Sequence, residues 1–510
     1  MNEPGASQRP GRARARALAD AGAGVLLFAA GLAWSAAAGI GTWDESWFLQ
    51  VVARVRGGEA LYREVFFGAT PLGVALGVTA TGALGVEAAA IKAARVACFV
   101  AAALLAGRLS VQLTGRRRYV PFLLGACFLY APPDPKALYS PLAEVLLLGC
   151  ASLALARRPL PIAAGLCAGL CLAAKQNTGA LALAALVATL PFAAPAPAPE
   201  LLRRGARLLG ACAAALLLAL LPVAASGALA AFADQGLWGK QAYLARAGIP
   251  FGDGLRALVE AAGRLHADGG LARFFVLQAF ALPFAAALAA LAAVPRASVD
   301  ERRGLLVAGA FAAAALASAF PRADLSHVRH AVPALLVLAI AGWDVARHGA
   351  PRWARPVEWA AAIGLAIGLA ALVAGAAAPI ARGERVWSTL PHLRGALLDP
   401  QRHRQLHEQG RELAEAAGAE AFLVSPRAGL LYLVSGVRNP TPYDWPGLTS
   451  MGRRGEVEVI DALARGALRT VCLDPRDWEL RAPRLERAVR EHLVPVAELG
   501  ACTLYRAPGG

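Results

Sequence analysis

Trp43-Asp44-Glu45 sets two carboxylates side by side just after the first long apolar run of the chain. A carboxylate held near a hydroxyl can accept its proton as a general base. Acidic groups at a helix start also simply favour the helix dipole, by about 0.3–1 kcal/mol. A second polar group is residues 131–144, APPDPKALYSPLAE. Asp134 and Lys136 lie there among prolines, and Glu144 falls about one turn into the next apolar run. A carboxylate at that depth is costly and usually faces a polar cavity.

Lys175-Gln176-Asn177 forms a third group, in a chain with 51 basic residues of which only four are lysines. A lysine ammonium is a compact point charge suited to a phosphate, although lysines at span ends also snorkel. The fourth group is residues 321–330, PRADLSHVRH. Asp324, His327 and His330 follow an i, i+3, i+6 spacing. Two histidines and a carboxylate are zinc-type ligands, but His-x-x-His alone is weak evidence. A polar cluster for phosphate or sugar, with cations from Arg322 and Arg329, is the better reading, and an ordinary polar loop is its alternative.

The elements that must position these groups follow from composition. The 510 residues are 57% apolar and 17% charged, with mean hydropathy +0.50 and net charge +16. Soluble domains carry about 25% charged residues. This content excludes a disordered chain, and eight cysteines in this length exclude a small disulfide-stapled domain. The basic excess fits either a polyanion such as nucleic acid or the cytoplasmic bias of a membrane protein.

Runs of about 20 apolar residues cross a bilayer as helices. Eleven candidates occur: 18–40, 87–107, 119–131, 141–156, 160–174, 178–194, 205–230, 271–294, 304–320, 330–346 and 357–379. The pair 141–156 and 160–174 reads as a tight hairpin, and 70–84 as a segment dipping into the membrane. The first run is longer than a signal-peptide core, so it reads as an uncleaved span.

The tail and every second loop (1–17, 107–118, 157–158, 200–207, 295–303 and 347–356) hold 19 arginines and four acidic residues, a net +15. Positive segments face the cytoplasm. The remainder of the chain carries 32 basic and 31 acidic residues, a net +1. The charge is therefore a topology signal, and the nucleic-acid reading loses its support. All four polar groups fall on the opposite, outer face.

Within residues 41–70, Phe48, Val51, Val52 and Val55 form one apolar helical stripe. It predicts a short amphipathic helix on the membrane surface, ended by Gly57-Gly58. Residues 380–510 lose the apolar runs, with 18 arginines against 16 acidic residues. A helix over 398–417, a helix over 457–464 and strands at 421–425, 470–473, 495–498 and 502–505 predict a small α/β domain. Segment 430–434 reads as strand or helix. The turn Asn439 to Trp445 suits either sugar contact or a rigid structural role. Six cysteines (Cys98, Cys127, Cys150, Cys167, Cys171 and Cys212) read as small core residues. Cys472 and Cys502 sit on predicted strands, where an oxidising compartment permits a disulfide. Ala193 to Glu200, AAPAPAPE, reads as a stiff linker.

These residues carry a resemblance. The Arg-rich tail, one span, Trp43-Asp44-Glu45, the amphipathic helix, Gly57-Gly58-Glu59 and Leu61-Tyr62-Arg63-Glu64 together resemble the first external loop of GT-C class glycosyltransferases. The similar types are the protein mannosyltransferase-like and aminoarabinose transferase-like bacterial enzymes. Pro71, Arg95, Glu144, Lys175-Gln176 and Pro321 to His330 extend the likeness. It covers most of residues 1–380 and is weaker in the tail.

The resemblance implies a polyprenyl-phosphate sugar donor and an active site between the external loops and the membrane. It implies Asp44 as the catalytic carboxylate, with Glu45 beside it. Tyr62, Arg63, Glu144, Lys175, Gln176, Arg322, Asp324 and His327 become the donor-phosphate or substrate-binding set. Lys175, Arg63 and Arg322 would meet the lipid phosphate. Glu45 and Glu144 would orient the acceptor or hold a divalent ion, since relatives differ in metal use and no particular metal is implied.

The expectation is a polytopic α-helical membrane protein with about eleven transmembrane helices, GT-C-like, and a C-terminal extracytoplasmic α/β domain. Its parts are a cytoplasmic tail 1–17, a transferase domain 18–379 with catalytic first external loop 41–86, and the domain 380–510. It would transfer a hexosyl or pentosyl group to a cell-envelope glycan, lipid or protein at the outer face of a bacterial-type cytoplasmic membrane, with no nucleic-acid partner. The rival readings are a transporter or flippase for lipid-linked sugars, which should show charged groups at the bilayer midplane, and a membrane anchor that displays the tail.

Overall fold

The computed structural model describes residues 10–193, 195–238, 248–267, 269–349, 351–447, 450–476, 478 and 480–509. Residues 1–9 of the arginine-rich tail lie outside the described residues. Every one of the eleven apolar runs is helical. The first nine helices are α1 Pro10–Ala37, α2 Asp44–Arg56, α3 Leu72–Leu84, α4 Ala88–Thr114, α5 Val120–Tyr130, α6 Tyr139–Ala154, α7 Pro161–Ala174, α8 Gln176–Ala193 and α9 Ala198–Ala225. Helices Leu282–Ala293, Val299–Ala317, Val332–Ala346 and Pro351–Ala381 complete the bundle.

The protein is a multi-pass membrane protein. Among the described residues, six helices are long and apolar enough to cross a bilayer, and a bent pair, Gly270–Phe280 with Leu282–Ala293 at 50°, makes a seventh if counted as one span. Helices α3, α6 and α7 are apolar but shorter. In lipid, helices gain little from hydrophobicity against one another, so close packing must hold them. Helices α7 and α9 achieve it with glycine. A Cβ on Gly165 would lie 2.1 Å from the Leu208 carbonyl oxygen, and one on Gly169 would lie 2.3 Å from that of Cys212. The two glycines, four residues apart, let the α9 backbone rest on α7.

The basic segments gather at one end. Arg117 pairs with Asp20 on α1 at 2.5 Å, Arg116 with Asp344 at 3.2 Å, Arg118 with Glu358 at 3.2 Å and His348 with Glu301 at 3.9 Å. A cavity of about 300 Å³ at this end is lined by Gln112, Leu155, Ala193 and Glu301, among others. It joins the flanks of four basic segments. Helix α4 shows the distance to the other end. Lys92 and Arg95 lie near its start and Gln112 lies near its finish, 20 residues and so about 30 Å from Lys92.

The α2 helix departs from expectation. It was predicted to lie on the membrane with its apolar stripe in lipid. Phe48, Val51 and Val52 are instead 0% exposed. The stripe is covered by α3 on one side and by helix Ala428–Ser435 of the tail on the other. Gly429 permits that approach, since a Cβ there would lie 2.7 Å from Trp47 Cα. Protein rather than lipid buries the stripe because two partners far along the chain reach it.

The tail folds around a four-stranded sheet in the order β3-β4-β6-β5, where β3 is Phe422–Val424, β4 Thr470–Leu473, β5 Val494–Glu498 and β6 Thr503–Arg506. The short strands β1 Val386–Trp387 and β2 Leu397–Leu398 pair beforehand. Strand β4 runs parallel to β3 and antiparallel to β6. Cys472 and Cys502 are joined in a disulfide, with Cα atoms 5.6 Å apart. Segment 430–434, open from sequence, is helical within Ala428–Ser435.

Gly165→Leu should force α7 from α9 at a cost of about 1–3 kcal/mol, the usual penalty of overpacking. The expected readout is a lower melting temperature in detergent, against little change for Gly205→Leu, whose Cβ would meet nothing within 4 Å.

Candidate functional site

The adjacent carboxylates Asp44 and Glu45 turn in different directions. Glu45 is 0% exposed. Arg95 Nη2 donates to its Oε1 at 2.8 Å, Lys92 Nζ at 3.2 Å, and the Gly41 N–H donates to Oε2 at 2.9 Å. Lys92 also donates to the carbonyls of Ser35 and Gly39, and Arg95 to Ser35 Oγ and to the Lys136 carbonyl. Burial alone would raise the Glu45 carboxyl; Lys92, Arg95 and the Gly41 N–H outweigh it and hold the group below its ordinary value. A carboxylate so enclosed cannot touch a substrate. Of the two adjacent carboxylates, Glu45 is enclosed by its partners and Asp44 is the accessible one.

Asp44 opens the other way. Its side chain is 24% exposed, and Lys136 Nζ donates to its Oδ2 at 2.6 Å. Burial would lower the Lys136 ammonium, but Asp44 first, then Asp134 and Asp324, hold it above its ordinary value. The external loops therefore converge. Asp134 pairs with Arg329 at 3.2 Å. Asp324 accepts from Arg322 at 2.8 Å and from Ser326, and its Oδ1 lies 2.7 Å from His327 Nδ1. Burial opposes ionisation of Asp324, yet His327, Ser326 and Arg322 hold it far below the usual carboxylate range.

The network continues inward. His330 Nδ1 lies 2.9 Å from Glu144 Oε2. The charges of Lys175, His327, Arg329 and Lys136 all act on His330. Glu144, Lys175 and His330 line a small pocket of about 10 Å³ with Ser140, Thr178 and Ser318 on its polar side and Leu147 and Leu148 on its apolar side. That volume holds about one water.

Asp44, Glu144, Lys175, Arg322, Asp324 and His327 thus lie in one connected network. Tyr62, Arg63 and Gln176 do not join it. Tyr62 is 1% exposed, and its hydroxyl donates to the Ala69 carbonyl at 2.7 Å. Arg63 donates to the Ser226 carbonyl at 2.9 Å and pairs with Glu64 at 3.2 Å. Gln176 donates to the Gly236 carbonyl at 2.6 Å. These three brace the end of the first external loop against residues that follow α9. Asp324, His327 and His330 do not gather as metal ligands either: Asp324 caps the short helix Leu325–Val328 while His330 turns to Glu144. Among the described residues no group of three or more His, Cys, Asp or Glu is arranged to hold a metal ion.

The tail packs on α2 beside Asp44. Arg54 on α2 donates to Asp444 at 3.0 Å, to Glu59 at 2.9 Å and to the Thr441 and Glu64 carbonyls. Burial raises the Asp444 carboxyl, with Arg54 and Asn439 opposing. Asn439, Thr441 and Asp444 bond within the turn and to Arg54, while the buried Asp444 Oδ2 and Trp445 Nε1 have no partner. Trp445 meets Trp43 edge-on at 5.7 Å, beside Asp44.

Lys136, Asp134, Arg329 and Arg95 were noted from sequence but left out of the expected binding set, and Lys92 was not noted. A signal for two of them was present. Three of the four lysines in this arginine-rich chain, Lys92, Lys136 and Lys175, stand in or under the site, and Lys240 lies outside the described residues.

No protein-family model matches the chain, and no curated protein sequence does. Solved structures do. The crystal structure of ArnT from Cupriavidus metallidurans bound to undecaprenyl phosphate is 12% identical, covers 94% of this chain and 97% of its own, and has a TM-score of 0.56. The same protein in the apo state is 13% identical with the same coverage and a TM-score of 0.54. Arabinofuranosyltransferase AftD from Mycobacteria covers 96% of this chain and 40% of its own at 16% identity, but its TM-score of 0.48 is too slight to argue from. The likeness to ArnT shows the fold, which is of the GT-C type.

Glu45→Ala should cost about 3–5 kcal/mol, because it leaves Lys92 and Arg95 buried without their anion. Melting in detergent should reveal it. The Glu45 carboxyl is lowered in the folded state, so its contribution is present above the unfolded value, about 4.3, and is lost as pH falls through the folded value. The wild-type melting temperature should therefore drop in acid more steeply than that of Glu45→Gln.

Proposed function

We propose that the chain is an integral-membrane glycosyltransferase that moves a sugar from a polyprenyl-phosphate donor to a cell-envelope acceptor at the outer face of the cytoplasmic membrane. The observation that carries this reading is Asp44, an accessible carboxylate beside Lys136 and above the Glu144–His330–Lys175 pocket, at one end of a GT-C fold. The undecaprenyl phosphate bound to the similarly folded ArnT supports a lipid-phosphate donor.

In this reading Asp44 accepts the proton of the acceptor hydroxyl. The acceptor oxygen bonds to the anomeric carbon from the face opposite the phosphate. The bond from that carbon to the phosphate oxygen breaks, and the lipid phosphate leaves with the electron pair. A base on one side and a charge sink on the other are what such an inverting displacement needs. Lys175, Arg322 and Arg329 supply cations at the sink. Asp324 orients His327 for a polar contact with the acceptor or donor sugar.

Eleven spans, with a cytoplasmic N-terminus, put residues 380–510 outside as a domain over the site. The Cys472–Cys502 disulfide supports an oxidising compartment for that part. The gathering of the basic segments at the far end of the bundle supports the same orientation.

Purified chain given a labelled polyprenyl-phosphate sugar and envelope extract should transfer label. Asp44→Asn should lower the rate by about 10²–10⁴, the usual worth of a general base. A fully active Asp44→Asn variant would sink the catalytic assignment.

A further inference from the structure

We infer that Lys136 is an exchange cation: the pair it makes with Asp44 opens when a donor binds, and Lys136 moves to the donor phosphate, which frees Asp44 to act as base. The inference rests on the transferase reading and adds how that site is switched on.

Charge balance motivates it. At formal charge, Asp44, Asp134, Glu144 and Asp324 bring four negative charges to the cluster, and Lys136, Lys175, Arg322 and Arg329 bring four positive ones. These eight charges balance, and the one excess positive charge of the Glu45–Lys92–Arg95 cluster is buried and bound to carbonyl oxygens. A lipid phosphate adds negative charge, so a cation already paired must be shared or released by its carboxylate. An uncompensated anion in a partly desolvated site is costly.

Burial and geometry select which pair opens. The Lys92–Glu45 pair is closed, with side chains 2% and 0% exposed. The Lys136–Asp44 pair is open, at 30% and 24%. Arg329 and Arg322 keep their carboxylates behind less exposed cations, with the arginine side chains at 11% and 20%. Lys136 can also move without dragging its loop. Its backbone carbonyl is held by Arg95 at 2.9 Å, and Arg95 is fixed by Glu45. The long flexible stem carries a single point charge, which can be handed over in a way a planar guanidinium fork cannot.

While Lys136 holds Oδ2, proton transfer to that oxygen must displace the ammonium. Donor binding removes it, so the base is freed only when there is a sugar to transfer. The exchange thereby couples donor occupancy to activation of the acceptor hydroxyl.

The test uses the full chain in nanodiscs, with undecaprenyl phosphate and undecaprenol as probes and tryptophan fluorescence as readout, since Trp43 adjoins Asp44. Asp44→Asn removes the competitor for Lys136 and should tighten undecaprenyl phosphate by about two- to fivefold, the range for a partly exposed ion pair. Lys136→Met should weaken it by roughly fivefold, while Lys136→Arg retains most of the affinity. In the Lys136→Met background, Asp44→Asn should gain less than twofold. Undecaprenol should bind all variants alike, which reports that each is folded. An Asp44→Asn gain that is absent, or equal with and without Lys136, overturns the exchange while leaving the transferase reading intact. No binding of undecaprenyl phosphate by the wild-type chain removes the donor reading and the exchange with it.

Discussion

The buried Glu45–Lys92–Arg95 cluster is the constraint on which the outer end of the protein depends. Its three charges sum to +1, and the excess is met by the carbonyl oxygens of Ser35, Gly39 and Lys136. Those acceptors come from the end of α1, the turn after it and the 131–138 loop. One ion cluster therefore fixes three segments that are far apart in sequence. It also sets the first turn of α2, because Glu45 reaches back to the Gly41 N–H while the next residue toward the N-terminus, Asp44, is left facing outward. A buried ion cluster is weak evidence for stability in itself. Here its effect is positional: it determines which of two adjacent carboxylates is free.

Arg54 is the complementary tie on the other side of α2. It joins the first external loop, through Glu59 and Glu64, to Thr441 and Asp444 in the tail. Together with Gly429 it seats the tail on the face of α2 that would otherwise be apolar surface. The helix that carries Asp44 is thus clamped at its start by the membrane bundle and along its face by the tail. A base that must accept a proton from a placed hydroxyl needs this kind of support, since small displacements cost large factors in rate.

Much of this was legible in the sequence and some of it was not, for physical reasons. The apolar runs became helices because run length and composition are local properties. Alternating arginine content gave the two ends because charge bias is written loop by loop. The α2 stripe was legible as a helix, but its covering was not, because Gly429 lies almost 400 residues away. The Asp44-Glu45 pair was legible as chemistry, but the division of labour inside it depends on Lys92 and Arg95, which a spacing argument does not reach. The resemblance carried by Leu61-Tyr62-Arg63-Glu64 implied Tyr62 and Arg63 as substrate contacts. In space they brace the loop against Ser226 and Gln235.

The scarcity of lysine gives the clearest link from composition to chemistry. Arginine is the default cation of this chain and serves the basic end, where charge alone is needed. At its three described positions, lysine stands where a compact ammonium suits the surroundings. At Lys92 a compact head fits a pocket of two carbonyls and a carboxylate with 1% of the residue exposed. At Lys175 the ammonium borders a small void shared with Glu144 and His330. At Lys136 the requirement is mobility: a charge that reaches Asp44 in one state and a phosphate in another. An arginine there would hold Asp44 through two parallel hydrogen bonds, and the stronger grip would oppose the release that catalysis requires. The same residue choice that marks the buried anchor as rigid therefore marks the open pair as exchangeable, and the difference between them is burial rather than residue type.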